Sequence, residues 1–159
     1  MVARSRMGGP WSRAKRVAHA FRDGGHEVTL TWGADGNCID PGGPTLEIPV
    51  PSPLGLPDAI ARHTFPLASR LGLMGRKPVH SFEEVLWLTG ALDERYTRAA
   101  VELLRTHMRA TRPDVVYSEF NLAAVIAARA EGIPCVGSGS QPTTAAYASN
   151  PRKSAGIRR

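Results

Sequence analysis

Between Ser12 and Asp23 the apolar side chains recur at Ala14, Val17, Ala18 and Phe21, while Arg13, Lys15, Arg16 and Arg22 fall mostly on the other side. Spacings of three and four predict an amphipathic helix. Gly24 and Gly25 stop it, because the left-handed residue that closes a helix is cheapest as glycine, and "HEVTLTW" follows as a strand rich in β-branched residues. Residues 33–58 are punctuated by proline and glycine and allow one short strand, at Leu46–Val50. A helix is expected from Asp58 to Leu71, disturbed by Pro66. In "SFEE", Ser81 and Glu84 form a capping box that opens a longer helical stretch to about Thr111, which Gly90 can split.

After "TRP" the pattern changes period again. "DVVYS" reads as a short buried strand, Leu122, Val125, Ile126 and Ala130 as the apolar period of a helix ended by Gly132, and "IPCVG" as a further strand. That is a complete βαβ unit, and helix–turn–strand at the start of the chain is half of another. Alternation of this kind implies an α/β fold, a Rossmann-like parallel sheet with helices on both faces. The expected organisation is one domain over residues 1–147 and a basic, flexible tail over 148–159, where "NPRKSAGIRR" shows no apolar period.

Charge sharpens the picture. The chain has 159 residues, 42% of them apolar, which is enough for one ordinary core, and a formal net charge of +6. Residues 1–16 carry five basic side chains and no acid, and 151–159 carry four more, so the middle is mildly acidic. Basic ends on a near-neutral domain differ from a basic face that tracks nucleic acid, and no nucleic acid partner is expected. Cys38 and Cys135 stand far apart, without a CxxC or Cys/His cluster, so neither a disulfide framework nor a metal site is indicated. The apolar run "LAAVIAA" is far shorter than a bilayer span, which with the reduced cysteines favours the cytoplasm.

In a parallel sheet, ligands bind beyond the carboxyl ends of the strands. Three stretches fall there: an opening loop Gly8–Ser12, "SEFN" at 118–121, and "GSGSQP" at 137–142. The glycines of "GGP" either let the backbone approach an anion at the helix start or form a tight turn; Pro10 contributes no donor. No complete GxGxxG or Walker sequence is present. Glu119 either orients a base or binds a sugar hydroxyl, or is simply an exposed acid at a strand end. Ser138, Ser140 and Gln141 offer hydroxyls and an amide for polyol recognition. His19 and His26 read as structural, Met74, Trp87 and Met108 as packing residues, and Cys135 as a small buried apolar side chain.

Two segments together resemble the N-terminal domain of GT-B glycosyltransferases of the UDP-glycosyltransferase type. "SRAKRVAHAFRDGGHEVTL" is similar to that family's first helix and second strand, and "RPDVVYSEFNLAAVIAARAEGIPCVGSGSQP" to the later part of the same domain. The resemblance implies one lobe of a GT-B fold and transfer of a sugar from a nucleotide-sugar donor to an acceptor hydroxyl. The acceptor would be a small molecule or a lipid-linked glycan, and no cofactor would be tightly bound. On the family's pattern Pro10 occupies the position of a histidine base, and Glu119 that of the aspartate that orients it. The substrate-binding positions become Gly8, Gly9, Ser12, Arg13, Ser138, Gly139 and Gln141.

Three departures shape the expectation. Without the histidine, an orienting acid has nothing to orient. The family's C-terminal donor-binding domain does not follow, so the isolated chain is expected to be inactive and to need a separate donor-binding domain. "MVARSRM" stands where an apolar first strand is expected, forgoing about 1.5–3 kcal/mol for each apolar side chain not buried, so the first strand is read as missing or degraded. The alternative is a non-catalytic acceptor-binding or membrane-docking subunit that partners a separate donor-binding chain. Its basic N-terminal segment would touch anionic lipid at the inner membrane surface.

Overall fold

The computed structural model describes residues 8–33, 42–51, 60, 86, 90–119 and 121–137, with side chains in the first helix from Ser12 onward. Among them the chain is a mixed α/β protein of short parallel strand pairs and helices. The order is α1 (Gly8–Asp23), β1 (Leu30–Gly33), β2 (Thr45–Ile48), α2 (Glu94–Thr111), β3 (Val116–Tyr117), α3 (Leu122–Ala130) and β4 (Cys135–Val136). It divides into two compact units, one of Met1–Val50 with Arg98–Ser138 and one of Pro51–Thr97 with Gly139–Arg159.

The described strands form two parallel pairs. β1 lies beside β2 with Leu30 opposite Thr45 and Gly33 opposite Ile48. β3 lies beside β4 with Val116 opposite Cys135 and Tyr117 opposite Val136. With α3 between them, β3 and β4 complete the βαβ unit expected from the sequence. Ala14 and Ala18 of α1 bury against Leu30, and Val28, Trp32 and Tyr117 pack around them, so α1 touches residues of both strand pairs.

The helices stop by one recurrent device. In α1, Gly25 takes φ +84°, His26 N–H donates to Phe21 C=O (3.0 Å) and Gly25 N–H to Arg22 C=O (2.9 Å). In α3, Gly132 takes φ +69° and Ile133 N–H donates to Ala128 C=O (2.9 Å). These are Schellman closures, in which a left-handed residue lets two later N–H groups reach the last free carbonyls. Gly90, at φ +75°, repeats the geometry, with Ala91 N–H donating to Leu86 C=O (2.8 Å), so a break falls there between the helical Leu86 and α2. α2 then starts afresh, with Asp93 Oδ1 accepting from Tyr96 N–H (2.9 Å) as its cap. It ends at Arg112, a non-glycine residue at φ +46°, followed by Pro113.

Several expectations are corrected. The opening glycines do not precede α1 as a loop; Gly8, Gly9 and Pro10 form its first turn. Proline is tolerated there because first-turn N–H groups have no intrahelical partner to lose. Phe21 does not join the buried face; it is exposed and meets the His26 ring edge-on at 5.6 Å. α3 turns the other way from its expected period. Ala123, Ala124, Ala127 and Ala128 are buried, whereas Leu122, Val125 and Ile126 are 40–44% exposed. A helix apolar all round has no unique stripe, and the small face is the one turned inward, as close backbone approach requires. Cys135 is exposed rather than buried, because β4 presents both of its residues to the surface. Partial desolvation still pushes its thiol above the ordinary 9.0.

His19 and His26 are exposed, and Met108 is buried with Ala100 and Leu104 along α2. Ile60 and Leu86 are helical. The expected helix over 58–71 beyond Ile60, the capping box at Ser81 and Glu84, Cys38, Met74, Trp87, the segment 1–7 and the tail 148–159 lie outside the described residues. No helix among the described residues is long and apolar enough to cross a membrane.

Candidate functional site

β3 ends in "VYSEFN", and the turn from its last strand residue into α3 is fixed by a chain of short-range bonds. Ser118 N–H donates to Val136 C=O (2.8 Å), continuing the ladder with β4. The Ser118 hydroxyl donates to Asn121 C=O (3.1 Å). Asn121 is the N-cap of α3: its backbone is extended at φ −107° and its Oδ1 accepts from Ala124 N–H (3.1 Å). The cap satisfies one of the donors that the first helical turn leaves unpaired. A Cβ on Gly137 would collide with the Ser118 carbonyl, so glycine there lets the end of β4 lie directly against this turn.

Glu119 sits at the middle of the turn with none of its surface exposed. The reading as an exposed acid at a strand end therefore does not apply. Its Oε1 makes an ion pair with Arg13 Nη2 from α1, whose side chain is 49% exposed. Its Oε2 lies 3.5 Å from the Tyr117 hydroxyl, a long approach. Asn121 is also buried, and its Nδ2 meets no acceptor among the described residues. A buried donor left unmet costs about 1–3 kcal/mol.

Of the three stretches at strand ends, the second contributes Glu119 and Asn121, Arg13 follows directly on the first, and Gly137 at the start of the third abuts Ser118. Ser12 is exposed on α1, and Gly8, Gly9 and Pro10 lie in the turn before it. Ser138, Gly139, Ser140 and Gln141 lie outside the described residues. The sequence reading missed the parts played by Tyr117 and Asn121. For Asn121 a signal was available, since asparagine directly before an apolar helical run is an N-cap signature. Among the described residues no three His, Cys, Asp or Glu side chains are grouped so as to hold a metal ion.

A second charged cluster lies on the opposite end of α3. Glu131 Oε1 accepts from Arg105 Nε (2.7 Å), and Glu131 Oε2 from Arg109 Nε (2.9 Å), tying the end of α3 to α2. These hydrogen bonds hold the Glu131 carboxyl below, and that of Arg109 holds its guanidinium above, their ordinary ranges. The arrangement reads as a clamp between helices rather than a binding site. No family model and no curated protein matches the chain.

Proposed function

We propose that this chain is the acceptor-side, Rossmann-like lobe of a GT-B glycosyltransferase, acting with a donor-binding domain to transfer a sugar from a nucleotide sugar to an acceptor hydroxyl. The observation that carries the reading is Glu119: wholly buried, at the carboxyl end of a parallel strand inside a βαβ unit, and paired with a cation from α1. Such strand ends are where α/β folds gather ligands. The resemblance of residues 12–30 and 112–142 to the family puts Glu119 at the position of its conserved-pattern acid, and Arg13 beside the acceptor-binding turn.

Pro10 leaves the family's histidine position without an imidazole. Glu119 then acts on the acceptor side of the reaction, accepting a hydrogen bond from the attacking hydroxyl, while Arg13 balances its charge. Gly8, Gly9 and Ser12 are the remaining acceptor contacts of α1 under this reading. The test is complementation: the chain is mixed with a separately expressed donor-binding domain, a panel of nucleotide sugars and hydroxyl-bearing acceptors. Sugar transfer or donor hydrolysis that disappears in Glu119→Gln is the expected result. Silence from a well-folded complex overturns the enzyme reading.

A further inference from the structure

We draw no further inference here: the strongest candidate, the exposed apolar face of α3 formed by Leu122, Val125 and Ile126, is a helix face for which nothing in the structure shows what covers it.

Discussion

A carboxylate taken out of water needs a replacement for its lost hydration, and at Glu119 the replacement is Arg13. Removing the cation leaves a buried acid without its counter-charge. Breaking such pairs typically costs about 3–5 kcal/mol, but Arg13 is half exposed and screened, so Arg13→Ala should lower the unfolding free energy by about 1–3 kcal/mol. Urea titration checks this, and the double variant Arg13→Ala/Glu119→Leu should recover part of the loss. An equal loss in the single and double variants would show that the pair does not matter. Glu119 was legible as a candidate because it follows a strand. Its partner was not, since nothing local links positions 13 and 119, and full burial of an acid is a property of packing.

At the scale of elements, the stop signals were the most readable part of the chain. Gly24–Gly25 and Gly132 each end a helix where the sequence predicts, because a left-handed residue is a local requirement that glycine meets locally. The inward face of α3 was not readable. "LAAVIAARA" offers both a stripe of large side chains and one of alanines, and periodicity alone does not choose between them. Close packing does, as it does at Gly137, whose backbone lies against the Ser118 carbonyl. Gly137→Ala must push β4 away from β3 and should destabilise by about 1–3 kcal/mol, with the loss read as a lower thermal midpoint. A variant as stable as the parent would mean that this approach is relaxed in solution.

Across the molecule, the order of strand, helix and strand in the second βαβ unit was legible, while the division of the described strands into two parallel pairs, joined through α1, was not. Pairing partners are long-range choices that composition and period do not encode. The clamp at Glu131 shows how such long-range contacts enter stability. Its carboxyl is held below the ordinary 4.5 in the folded chain, so the folded state binds its proton less readily than the unfolded state. The stabilisation is present above pH 4.5 and is lost as pH falls through the depressed folded value. Urea midpoints should therefore be higher for the parent than for Glu131→Gln near neutrality, and the gap should close in acid. A gap that persists at low pH would assign the effect to packing. The ion pair at the candidate site has a kinetic consequence as well. Arg13 and Glu119 are more than a hundred residues apart, so their meeting closes a loop that spans most of the chain. Contacts of that separation form late, after the local βαβ unit has condensed. Arg13→Ala should accordingly accelerate unfolding in stopped-flow measurements and leave the refolding rate nearly unchanged, as expected of an interaction made after the transition state.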